Sequence, residues 1–136
     1  MYTINYHEEL LFKRFIAPPK RNRYQQLLSS ERGRQRLIDS LDHFKDFDER
    51  YVQIIPANLH QPKLIEEILR KKRAPLECHV TSSNHKLDGK DLPLNDALQR
   101  TIGNGFGTLL SCIAGELAYY ESEEADVRYI LERHDP

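Results

Sequence analysis

Between Thr81 and Asp91 the chain reads TSSNHKLDGKD, an unusually polar set of side chains in one segment. Ser83, His85 and Asp88 follow one another in an order that suits hydrolysis or group transfer. A serine hydroxyl is a weak nucleophile until a histidine takes its proton, and a carboxylate then orients the histidine. The segment leaves a strand-like run and leads into a helical one, the place where open α/β sheets hold ligands. On this reading the substrate is phosphorylated or a nucleotide, with basic residues from the N-terminal third making its anion contacts. Against it, no glycines flank the serine as a nucleophile elbow requires. Exposed loops are polar in any case, and Asp91 is placed to cap the helix that follows.

The second candidate is basic. From Leu10 to Arg36 there are eight Lys and Arg residues against the single acid Glu31, whereas the chain from Gly115 onward is acidic. Lys20, Arg21, Arg23 and Tyr24 follow the stiff Pro18-Pro19 pair, and Arg32, Arg34 and Arg36 open a helix. Arginines with an interleaved tyrosine suit a phosphate backbone and a stacked base. This reading assigns binding to Lys20, Arg21, Arg23, Tyr24, Arg32 and Arg36, with a protein or a nucleic acid as partner. Residues two apart point to different helix faces, and cations at a helix start oppose its dipole, so these arginines need compensation. It comes either from an external polyanion or from the chain's own acidic tail together with Asp42, Asp46 and Asp48.

Other motifs carry less. Gly103, Gly105 and Gly107 in TIGNGFGTLL precede a strand, whereas phosphate loops precede a helix, and no Lys-Ser or Lys-Thr pair follows. They are expected to be turn glycines, with Gly103 at a helix C-terminus. The six histidines are scattered without a metal-ligand spacing, and neither Cys78 nor Cys112 belongs to a CxxC pair. No cofactor or metal is implied. Both cysteines sit in apolar runs and are expected to be buried reduced thiols, in keeping with a cytoplasmic protein.

Periodicity gives the elements that must position these groups. Leu11, Phe12, Phe15 and Ile16 form a helical stripe that ends at Pro18, Tyr24, Leu27 and Leu28 a second, and Leu37, Ile38, Leu41 and Phe44 a third capped by Ser29 or Ser30. YVQIIP reads as a short strand, Leu64 to Leu69 as a helix opened by Pro62, and LECHVTSS as an alternating strand. That strand–helix–strand unit predicts a parallel pair if its strands are neighbours. LDGKDLP supplies a turn before a short helix through Leu94, Leu98 and Ile102. The last third reads as a meander of three antiparallel strands around Ala114-Gly115 and the acidic loop ESEEAD.

The expected architecture is one α+β domain over residues 1–136, with short N-terminal helices on a mixed sheet of about five strands. The N-terminal residues carry Glu8 and Glu9 ahead of any apolar run, unlike a signal peptide, and no run spans a membrane. The function expected is that of a soluble, cytoplasmic, non-enzymatic interaction protein with a basic N-terminal surface; the alternative is the enzyme of the 81–91 loop. Ala118-Tyr119-Tyr120 offers a partner or self-association surface, although strand alternation, with one tyrosine in the core and the other in solvent, accounts for it equally.

Overall fold

Two of the three N-terminal helices start at a short polar side chain that caps them. Asn5 accepts hydrogen bonds from the amides of His7 and Glu8 to open α1 (Tyr6–Arg14), and Ser30 accepts from Gly33 N at 3.0 Å to open α3 (Glu31–Ser40). Between them, Pro18 and Pro19 form a single turn leading into α2 (Arg21–Leu28). The apolar stripes of these helices meet as one cluster in which Phe12, Tyr24, Phe44 and Phe47 pack ring against ring.

A computed structural model describes residues 1–124 and 127–136; Ala125 and Asp126 of the acidic loop lie outside the described residues. After α3 come β1 (Val52–Ile54), α4 (Pro62–Lys71), β2 (Glu77–Ser82), β3 (Asp91–Pro93), α5 (Leu94–Thr101), β4 (Thr108–Ile113), β5 (Leu117–Glu121) and β6 (Arg128–Glu132). The strands form one six-stranded sheet in the order β1-β6-β5-β4-β2-β3, with every neighbouring pair antiparallel. The α+β class and the C-terminal meander are as the sequence predicts. The mixed sheet is corrected: β1 and β2 lie far apart in strand order, and each pairs with a strand of the meander instead. The additional strand is β3, cut from the segment expected to be only a turn; it pairs with the first half of β2.

Both faces of the sheet are covered. Leu109, Ala118, Tyr120 and Leu131 pack under α1, α2 and α3. Cys78, Val80, Leu110, Cys112, Leu117, Tyr119 and Ile130 pack under α4 and α5. Tyr119 and Tyr120 are therefore both buried, one in each layer, and neither offers a surface to a partner. The alternation of LAYYE is a real strand signal, but the expectation that one tyrosine meets solvent fails because a second helical layer lies on that side. Cys78 and Cys112 are buried free thiols, and burial pushes the Cys78 thiol up to about 12. Among the described residues no helix is long and apolar enough to cross a membrane.

The glycines of TIGNGFGTLL divide by role. Gly103 and Gly105 have φ of +81° and +79°, a conformation that other residues enter only with strain. Gly107 is required by proximity, since a Cβ there would lie 2.1 Å from the carbonyl carbon of Leu41. Its backbone thereby presses the start of β4 against the end of α3. Gly107→Ala is expected to destabilise by about 1–3 kcal/mol through overpacking against a backbone that cannot rotate away. Gly105→Ala, with open space around it, should lose only about 1 kcal/mol from its positive φ. Urea unfolding of the two variants checks the order; equal losses would contradict the close contact.

Candidate functional site

The most concentrated chemistry lies between the N-terminal helices and the sheet, centred on Glu8. This residue lies on the inner face of α1, one turn before Leu11 and Phe12, and is 2% exposed. Arg34, placed equivalently on α3 before Leu37 and Ile38, donates to both of its oxygens at 2.8 Å. His79 of β2 meets Oε2 at 2.7 Å through Nε2, and Thr81 donates to the same oxygen at 3.1 Å. Arg34 uses its remaining donors on Asp88 at 2.8 and 3.0 Å, and Asp88 also accepts from Ser82 N. The other nitrogen of His79 lies 2.8 Å from Asp91 Oδ1. One connected network thus joins α1, α3, β2, the 83–90 loop and β3.

Its protonation follows from the partners. Both ring nitrogens of His79 face carboxylate oxygens, which accept only, so both carry protons and the ring is an imidazolium. Burial opposes that charge, but the hydrogen bonds to Glu8 and then Asp91 outweigh it and the pKa moves up. For Glu8, burial favours the neutral acid; the bonds from Arg34 and His79 overcome this and bring the carboxyl down to about 2. His7 stacks on His79 with ring centroids 5.8 Å apart. Burial and the neighbouring charge lower its pKa, so His7 is the neutral member of the pair, its Nδ1 2.7 Å from Ser111 Oγ.

A second buried carboxylate, Glu121 on β5, accepts from Tyr119 Oη at 2.7 Å and from Gly103 N at 3.0 Å, with Arg128 Nε at 3.4 Å. Here burial prevails and its pKa is raised. This cluster anchors the glycine turn to the sheet.

Ser83, His85 and Asp88 are near one another in sequence but are engaged separately. The Ser83 hydroxyl donates to Asp42 at 2.6 Å, Asp88 holds Arg34, and His85 is exposed with no hydrogen-bond partner among the described residues. Asp42 also accepts from Gly107 N at 2.7 Å, so the loop is fastened to the end of α3 at one point and to Arg34 at another. Asp91 belongs to β3 and caps no helix: α5 begins after Pro93 without a side-chain cap.

The basic residues also separate. Arg34 is consumed by the central network, and Arg21 donates to Ile16 O at 3.0 Å and lies 3.7 Å from Asp48. Tyr24 leaves the binding set: it is 4% exposed, stacked on Phe12, with its hydroxyl donated to Asp46. Its ring completes the core, so no base can stack on it. Lys20, Arg23, Arg32 and Arg36 are exposed, and none makes an ion pair with a described residue. Arg23 lies beside the Tyr24 ring, 5.8 Å from its centroid. Arg23 from α2 and Arg32 and Arg36 from α3 line one groove of about 260 Å³, with Gln26, Leu27, Ser30 and Gly33. Gly33 brings the helices together, since a Cβ there would lie 2.1 Å from Leu27 O. Arg32 and Arg36, one turn apart, share a face, while Arg34 between them turns inward. Among the described residues no group of three or more His, Cys, Asp or Glu is placed to hold a metal ion.

Sequence reasoning missed Glu8, Arg34 and His79 as a unit. The signal was present in the stripes: Glu8 leads the series 8, 11, 12, 15 and Arg34 the series 34, 37, 38, 41, so each occupies a core position of its helix. No family model, curated protein or solved structure matches the chain.

The network sets a pH window. His79, with its folded pKa above the ordinary 6.5, contributes stability that is fully present below that value and lost as pH rises through the folded one. Glu8 contributes stability present above 4.5 and lost as pH falls towards about 2. His79→Gln should therefore cost about 2 kcal/mol in mildly acidic solution, with the deficit shrinking as pH rises. Urea unfolding of both proteins across this range checks it; a deficit independent of pH would show that His79 folds uncharged.

Proposed function

We propose that this chain is an interaction protein that offers the α2–α3 surface to an anionic macromolecular partner. The observation that carries the reading is the convergence of Arg23, Arg32 and Arg36 on one groove whose lining holds no carboxylate and in which none of the three makes an ion pair with a described residue. Clustered cations repel one another, and a fold that pairs Arg34 and Arg21 internally leaves these three in solvent. Guanidinium groups present fixed forks of donors that match carboxylate or phosphate oxygens two at a time. Lys20, exposed at the entrance to α2, extends the positive surface.

The groove is held in shape from beneath. Gly33 fixes the approach of α2 to α3, and the Arg34 clamp to Glu8 and Asp88 fixes α3 against α1 and the sheet. A rigid frame lowers the entropy lost when arginines close on a partner. The alternative of a hydrolase or transferase at the 81–91 loop fits less well. Its serine is committed to Asp42 and its aspartate to Arg34, so turnover would have to break contacts that hold the loop in place.

The test is binding of labelled RNA, DNA and acidic polypeptide by anisotropy at two salt concentrations. If three phosphates are neutralised, nucleic-acid affinity should fall roughly twenty- to fortyfold between about 50 and about 200 mM salt. Arg32→Glu with Arg36→Glu should abolish whatever binding the native chain shows, while leaving its unfolding midpoint within error. Binding of any of these polyanions that survives the charge reversal would place the contact elsewhere.

A further inference from the structure

Resting on that reading, we infer that the α2–α3 groove takes an acidic segment of a partner protein, with carboxylates one helical turn apart, in preference to a nucleic acid. The positive patch is short. On α3 it is bounded by the exposed acids Glu31 and Asp39, the latter accepting from Gln35 at 3.0 Å. A nucleic-acid backbone continues past any short site and would meet these carboxylates with like charge. An acidic segment of a folded partner can end where the patch ends.

The groove also lacks what single strands use. Its lining is arginine, glutamine, serine, glycine and Leu27; the Tyr24 ring beneath it is buried in the core, and Tyr2, bonded to Leu28 O at 2.7 Å, is not part of the lining. Bases would find no aromatic face within that lining to stack on, which removes the sequence-tolerant part of single-strand affinity. The chain's net charge of −1 gives no long-range pull on a polyanion, so attraction is local to the groove.

What the groove does offer matches an acidic amphipathic helix. Arg32 and Arg36 stand one turn apart, about 6 Å between side-chain origins, the same repeat as glutamates four residues apart on a partner helix. Arg23 reaches from the opposite wall, and Leu27 between the walls, partly buried against the core, supplies an apolar contact for a side chain lying between those glutamates. Charge complementarity of this kind sets register and on-rate, while the apolar contact adds affinity.

The experiment compares two probes on the full chain by fluorescence anisotropy: a synthetic helical peptide with glutamates every fourth residue beside leucines, and a single-stranded RNA of similar charge. The peptide is expected to bind at least about tenfold tighter than the RNA, a difference of about 1.4 kcal/mol. Arg32→Gln with Arg36→Gln should weaken it by at least about tenfold, and Lys63→Gln, outside the groove, should leave it unchanged. Circular dichroism and unfolding of each variant confirm that the fold is retained. RNA binding as tight as the peptide's and equally dependent on Arg32 and Arg36 overturns this inference but leaves the basic surface as the partner site. Loss of arginine dependence for both probes overturns the two together.

Discussion

The fold depends on one carboxylate that stays ionised out of water. Glu8 is almost wholly enclosed between α1 and the sheet, where an unpaired charge would lose several kcal/mol of hydration. It is tolerated because Arg34, His79 and Thr81 together fill its acceptor positions. Arg34 belongs to α3 and both His79 and Thr81 to β2, so satisfying Glu8 places α1, α3 and β2 at the same time. Slippage of α1 by one turn would leave an anion facing hydrocarbon and an arginine facing Asp88 alone. Apolar packing supplies most of the attraction between the layers, and the ionic network selects a single way of docking them.

The exposed chemistry follows from that choice. With Arg34 drawn inward, its neighbours Arg32 and Arg36 are turned outward onto one face, and the close contact at Gly33 sets Arg23 opposite them. The same clamp holds Asp88, which together with the Ser83–Asp42 bond fixes the loop that would otherwise be the natural place for catalysis. Ser83 and Asp88, two of the three residues that resemble a catalytic set in sequence, thus serve as fasteners, and the basic segment divides into an inner, structural part and an outer part without ion pairs among the described residues.

Much of this was legible in the sequence. Helical stripes, a cap at Ser29 or Ser30, the C-terminal meander and the turn role of Gly103 follow from local rules, because caps, periods and positive φ are properties of a few adjacent residues. Strand order was not, since the antiparallel placement of β1 beside β6 is decided by pairs such as Val52 with Leu131, far apart in the chain. The burial of Tyr119 and Tyr120 on opposite faces was hidden because alternation reports a strand without saying whether one face or both are covered. Glu8 and Arg34 were misleading in another way. Acids in a first helical turn and arginines in a basic segment have ordinary surface explanations, and only their position at the head of each apolar stripe marks them as interior. Tyr24 carried the same ambiguity in reverse: beside arginines it looks like a stacking platform, but its spacing to Leu28 places it in the core.

The central claim, that Glu8 is a buried anion shared between Arg34 and His79, is tested most directly by following its side-chain carboxyl carbon by NMR as the protein is acidified. The shared arrangement predicts that Glu8 stays ionised through the ordinary carboxylate value of 4.5 and titrates only towards about 2, or with acid unfolding. A titration centred at or above 4.5 would mean a neutral or weakly paired acid, and the docking of the helical layer would then rest on apolar packing alone.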